Sequence, residues 1–250
     1  MERKHERFYV PSITTLGEIW VNGDEAHHML HVKRVRPGER VCLFDGAGKE
    51  AIGKVVEALR DRARIEIEEL EVVDREARID ITLAFSIPKG KRSELLVQKC
   101  SELGVKRLIP LECQRSVVKL RPGSGEKMKK WKRVALEASK QCGRTYITEI
   151  LEVSPFSKLL DTAGSYDLSI LASTGPGVST LKKTIRDKTE VRSILCIVGP
   201  EGGFTQEEEE RAKLAGCKRV SLGPSILRIE TAAMALVSML LYAYSCSADL

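Results

Sequence analysis

The chain has 250 residues, 42% of them hydrophobic, enough to bury a real core as one large domain or two modest ones, and two are expected. Its 41 Lys and Arg against 35 Asp and Glu leave a net charge of +6, a surplus that suits a phosphate-bearing partner or mere solubility. Seven scattered cysteines without a C-x-x-C pair argue against a disulfide or zinc framework. With the charged start at residues 1–7 and an apolar run, 232–244, too short to cross a bilayer, they place the protein in the cytoplasm, off the membrane.

The first seventy residues read as small-barrel material. Residues 40–44, 50–57 and 64–68 are strand candidates, the last because Arg64-Ile65-Glu66-Ile67-Glu68 alternates polar and apolar as a half-buried strand does. Pro37-Gly38 and Asp45-Gly46 supply tight turns. Asp24 is the expected cap of a short helix over residues 25–32, and the polar stretch 74–78 reads as a linker. The expected domains are residues 1–72 and 76–250.

From Ile79 onward apolar strands alternate with helical stretches, the pattern of a mostly parallel sheet covered on both faces, so the second domain is α/β. Strands are expected at 79–85, 107–111, 168–172, 194–198 and 219–222. Between them Leu96, Cys100 and Leu103, then Met128, Trp131, Ala135 and Ala138, recur at helical spacing. Lys129, Lys130, Lys132 and Arg133 fall mostly on the opposite face.

Two late segments carry the chemistry. Gly199-Pro200-Glu201-Gly202-Gly203-Phe204 leaves the buried strand at 194–198 for a helix beginning near Gln206, with Thr205 and Glu208 as a capping box. Bare amides at the carboxyl end of a parallel strand suit a ligand, although an ordinary tight turn reads equally well. The spacing is neither that of a dinucleotide fingerprint nor that of a P-loop. In the second segment, Leu222-Gly223-Pro224-Ser225-Ile226-Leu227-Arg228-Ile229-Glu230-Thr231-Ala232, the Leu and Ile residues call for burial. Arg228 and Glu230 must then be used, or paired as a structural cap of the last helix. No metal is expected, because His27, His28 and His31 have no acidic or cysteine partner at ligand spacing.

Together these two segments resemble the signature of the SPOUT class of methyltransferases, specifically the RsmE-type 16S ribosomal RNA (uracil-N3) methyltransferases. Residues 27–28, 36–38, 43–46, 89–90, 98–99, 102–105, 115–119 and 141–144 resemble that family's pattern in order, so the likeness spans nearly the whole chain. Ser225 stands where an arginine is common, Gln114 where an acidic residue is usual and Thr148 where a proline is typical.

The resemblance implies a PUA-like β-barrel ahead of a C-terminal SPOUT α/β domain tied in a trefoil knot, a rare chain topology. It implies S-adenosyl-L-methionine as cofactor, with Leu171, Ala172, Ser173, Gly199, Pro200, Glu201, Gly202, Gly203, Leu222, Gly223, Ser225, Ile226 and Leu227 as its contacts. It also implies a homodimer and, as partner, the 16S ribosomal RNA of the small subunit. A uracil imide nitrogen is a poor nucleophile until it loses its proton, so a base and a cation should contribute. Glu230 and Arg228 are the candidates, with Glu201 as the alternative carboxylate. Lys33, Arg34, Arg36, Arg115, Lys119, Arg121 and Arg144 are the expected RNA contacts. The alternatives are a SPOUT enzyme acting on another nucleoside and a noncatalytic RNA-binding protein that keeps the fold.

Overall fold

The computed structural model describes residues 5–119, 125–175, 177–186, 188 and 190–245. The chain forms two compact units: one takes the residues up to Glu76 together with Leu136–Ile147, the other Ala77–Ala135 and the residues from Thr148 onward. A single cut between residues 72 and 76 therefore does not divide it. The first unit reclaims a later stretch, held there by remote partners that no local pattern announces.

In the first unit β1 (Arg7–Tyr9), β2 (Gly17–Asn22), β3 (Arg40–Phe44), β4 (Lys49–Ala58) and β5 (Arg62–Val72) make one sheet in the order β1-β3-β4-β5-β2. The pairs are antiparallel except β1 with β3. Ala63, Ile65 and Ile67 alternate inward from β5 and share a core with Phe8, Val41, Leu43 and Val55. The β4–β5 register shifts at Ile52/Gly53, where a Cβ on Gly53 would stand 2.8 Å from the Glu66 carbonyl oxygen, so only glycine fits. Strands β1 and β2 escape the sequence pattern, β1 because three residues show no period.

Helix α1 (Gly23–His27) runs into a π-helical turn, His28–Val32. Its N-cap is Asn22, not Asp24, which sits in the first turn where a negative charge faces the positive end of the helix dipole. Lys140 is buried, its Nζ 3.0 Å from Glu25 Oε1, 2.9 Å from His28 Nδ1 and 3.2 Å from Glu137 Oε1. The metal-like grouping of Glu25, His28 and Glu137 thus already surrounds an ammonium. Glu50 accepts hydrogen bonds from Arg7 and, at 2.9 Å, from Arg75 Nη1.

In the second unit the expected strands appear as β6 (Asp80–Ser86), β7 (Arg107–Glu112), β10 (Leu168–Ala172), β12 (Ser193–Val198) and β13 (Lys218–Ser221). Three two-residue strands join them: β8 (Glu149–Ile150), β9 (Ser154–Pro155) and β11 (Ser179–Thr180). The sheet runs β11-β13-β10-β12-β6-β7-β8, with β9 also on β7, and every pair is parallel. After β12 the chain passes through α6 (Gln206–Leu214) and returns on the far side of β10 as β13.

Both faces of this sheet are covered, which explains the almost unbroken apolar strands. On one face Ala84, Leu171, Leu195 and Ile197 pack with Phe156, Leu159 and Leu160 of α4 (Phe156–Leu160) and Ala212 of α6. The other carries α2 (Arg92–Glu102) and α7 (Ile229–Ser245), and the ring of Trp131, from α3 (Gly125–Cys142), has its centroid 6.0 Å from that of Phe85. A short α5 (Leu181–Ile185) follows β11. No helix among the described residues is long and apolar enough to cross a membrane.

Burial raises the Glu50 carboxyl, but the hydrogen bonds from Arg75 and Arg7 outweigh it and hold its pKa below the ordinary carboxylate value. A depressed folded-state pKa stabilises above the unfolded value, and the stabilisation is lost as pH falls through the folded one. Urea denaturation should therefore show E50Q less stable than wild type by about 1–2 kcal/mol at neutral pH. The gap should close as pH falls below the ordinary carboxylate range and through the depressed folded-state pKa; a gap that ignores pH would show that the charge of Glu50 is not what stabilises.

Candidate functional site

Because β10, β12 and β13 are adjacent and parallel, their carboxyl ends open on one edge of the sheet. The loops that leave them enclose a cavity of about 460 Å³. Ala172 and Ser173 line it from the first loop, Gly199 to Gly203 from the second, and Leu222, Gly223, Ser225, Ile226 and Leu227 from the third. Leu171 does not, because its side chain turns into the core beside Ile197 and Phe204. Thr174 and Gly175 extend the first loop's share of the lining, and Glu209 and Arg115 also line the cavity, brought there by remote folding.

The glycine-rich loop is held at both ends. Gly203, at φ +68°, donates from its amide to the Pro200 carbonyl at 2.8 Å, closing a tight turn. At the helix side Thr205 and Glu208 form the expected capping box. The buried Glu208 carboxylate accepts from Thr205 N and from Gln114 N, both at 2.8 Å, so one side chain ties the loop to the segment after β7. Arg115 adds a bond from Nη1 to the Gly202 carbonyl, 2.9 Å. Gly199 backs onto the Phe204 ring, which stacks on Phe156 with centroids 5.1 Å apart.

One side of the cavity is polar. Ser173 Oγ lies 2.6 Å from Glu209 Oε1, whose other oxygen accepts from Arg219 Nη2 at 2.8 Å. Behind that lining Arg92, at the start of α2, stands between two carboxylates, Glu230 and the cavity-lining Glu201: Nη2 is 3.5 Å from Glu201 Oε1 and Nη1 is 3.8 Å from Glu230 Oε1. Glu230 is buried, and its Oε2 has no hydrogen-bond partner among the described residues. The expected Arg228–Glu230 pair does not form. Arg228 is exposed, without ion pair or side-chain hydrogen bond among the described residues, because residues two apart at a helix start point away from each other.

Lys33, Arg34 and Arg36 are exposed on the first unit, Lys33 paired with Glu6 at 2.7 Å. Lys119 is exposed 3.6 Å from Glu112, and Arg121 lies outside the described residues. Arg144 is buried and paired with Glu76 at 2.5 Å, so it holds the fold rather than offering charge to a phosphate. Burial raises the thiols of Cys42, Cys100 and Cys113 to about 12, which leaves them inert as nucleophiles near neutral pH.

A family model for an RNA methyltransferase domain matches residues 75–241, and one for an RNA methyltransferase PUA domain matches residues 21–68. The chain is 31% identical to the ribosomal RNA small subunit methyltransferase E of Bacillus subtilis, over 89% of each. The chain belongs to the RsmE family of RNA methyltransferases. The RsmE protein of Mycobacterium bovis is 29% identical, over 90% of this chain and 87% of its own length. The crystal structure of the Neisseria gonorrhoeae member, bound to S-adenosyl methionine, is 31% identical and superposes with a TM-score of 0.88 over 96% of this chain and 98% of that one.

In this RsmE chain a Cβ on Gly199 would meet the Phe204 ring at 2.6 Å, and the ring is pinned by Phe156. G199A should therefore destabilise the protein by about 1–3 kcal/mol, read as a lowered midpoint in thermal denaturation. A midpoint equal to wild type would mean that the loop is looser than its geometry.

Proposed function

We propose that the protein methylates N3 of a specific uridine in 16S ribosomal RNA, with S-adenosylmethionine as methyl donor. The observation that carries this reading is the single cavity shared by the loops after β10, β12 and β13. Its volume lies within the roughly 300–1,000 Å³ of cofactor-sized sites. Its lining also suits the donor. Val198, Phe204, Leu222 and Leu227 offer apolar surface for a purine, and the glycine-rich loop lets a ligand approach the backbone. Ser173 offers a hydroxyl, and Glu201 and Glu209 bring two carboxylates to a ligand that carries a positive sulfonium.

Bound there, the donor supplies an electrophilic methyl group, whose bonding pair stays with sulfur as the new N3–C bond forms. The remaining work belongs to the chain and is mainly positional. The three loops fix the direction from which the nitrogen must approach. A carboxylate, Glu230 or Glu201, accepts the imide proton, and a nearby cation steadies the charge left on the ring. The uridine must be unpaired or extruded for its imide edge to be reached. Exposed Lys33, Arg34 and Arg36 on one unit and Lys119 on the other are suited to phosphate contacts.

The return of β13 to the far side of β10 supports a knotted passage through the cofactor loops. Exposed Met239 and Tyr242 on α7 and Leu95 on α2 support a homodimer through that face. A cytoplasmic setting follows from a ribosomal substrate.

Small ribosomal subunits lacking the mark, incubated with the protein and methyl-labelled S-adenosylmethionine, should yield labelled 3-methyluridine on nuclease digestion and mass spectrometry. Label on a ribose hydroxyl, or on transfer RNA alone, overturns the substrate reading.

A further inference from the structure

We propose that Arg92 is the cation that grips the imide edge of the target base, and that it works with Glu230 as a donor–acceptor pair. The inference rests on the uridine-N3 reading above. The Arg92 guanidinium is anchored at one point, where Nε donates to the Lys89 carbonyl at 3.3 Å. Its Nη1 and Nη2 stand 3.8 and 3.5 Å from Glu230 and Glu201, inside ion-pair range and outside hydrogen-bond range. The charges hold the group in place while its terminal N–H donors have no acceptor among the described residues. The side chain is 31% exposed, so a ligand can reach it.

Glu230 supplies the complementary defect. Its side chain is only 7% exposed, and Oε2 lacks a hydrogen-bond partner among the described residues, a costly state for a buried carboxylate. It heads α7, whose Ile229 and Ala232 line the cavity. One arginine between two carboxylates leaves a net negative charge, which favours a ligand that brings a donor.

An imide edge reads acceptor, donor, acceptor. Its N–H fits the free oxygen of Glu230, and a flanking carbonyl fits the free N–H groups of Arg92. Neither Arg228, exposed and without an ion pair to a carboxylate among the described residues, nor Arg115, whose Nη1 is bonded to the Gly202 carbonyl, offers this pairing.

The step balances. The N3–H bond breaks, its proton passes to Glu230 Oε2 and its electron pair remains on the ring, spread over N3 and the two carbonyl oxygens. Arg92 stabilises the oxygen charge, and N3 then takes the methyl group from the sulfonium donor, whose sulfur keeps the C–S pair.

The test compares single-turnover methylation by wild type, R92Q and R92K on small subunits reconstituted with transcribed 16S RNA containing either uridine or 5-fluorouridine. Fluorine acidifies the imide, so a substrate that ionises readily has less need of Arg92. R92Q should lose about 10²–10³-fold on uridine and at least about 10-fold less than that on 5-fluorouridine, at saturating S-adenosylmethionine. R92K, which keeps the charge without the fork, should fall between. Equal losses on both substrates, or a loss that tracks weakened cofactor affinity, would overturn the role of Arg92. If R92Q melts well below wild type, R92K carries the same comparison. Wild-type enzyme that places no label on N3 of uridine overturns the substrate reading itself, a result seen before any variant is compared.

Discussion

Strand β10 lies between β12 and β13, and the rest of the site depends on that adjacency. Three parallel strands end on the same edge, so segments far apart in sequence, around Ala172, Gly199 and Leu222, surround one volume. Neither the glycine-rich loop nor the Leu222 loop could make a cavity alone, since each offers one wall. The apolar content of the strands serves the same end. It fixes their order by burial on both faces and leaves the loops to carry polar groups.

A loop rich in glycine must be held if it is to present its amides in one place. Here the restraint is electrostatic. The buried carboxylate of Glu208 collects two backbone N–H groups from separate segments, and Arg115 donates to a carbonyl of the same loop. Hydrogen bonds to a charged group are worth about 1.5–3 kcal/mol each. The Phe204 ring behind Gly199 closes the remaining freedom.

The parts of this arrangement that rest on local pattern were legible in the sequence. Residues 194–205 carry a continuous apolar strand, a turn and a capping box in succession, and each declares itself within a few positions. The second loop stood out by its apolar residues and its Arg228 and Glu230, and the resemblance added the cofactor contacts, of which only Leu171 faces away from the cavity. What the sequence hides is partnership at a distance. Arg92 meets carboxylates more than a hundred residues away, so Arg228, two residues from Glu230, was the natural partner to expect. Arg144 reads as a surface charge until its pairing with Glu76 is seen. The same blindness hides the return of Leu136–Ile147 to the first unit, where Thr145 Oγ1 donates to the Val73 carbonyl at 2.6 Å.

The central claim is that the three carboxyl-end loops act as one ligand site, and backbone hydrogen exchange tests it most directly. On addition of S-adenosylmethionine, exchange should slow together in residues 172–175, 199–204 and 222–229, while the first unit stays unchanged. Protection confined to one loop, or located elsewhere in the chain, would contradict a shared pocket.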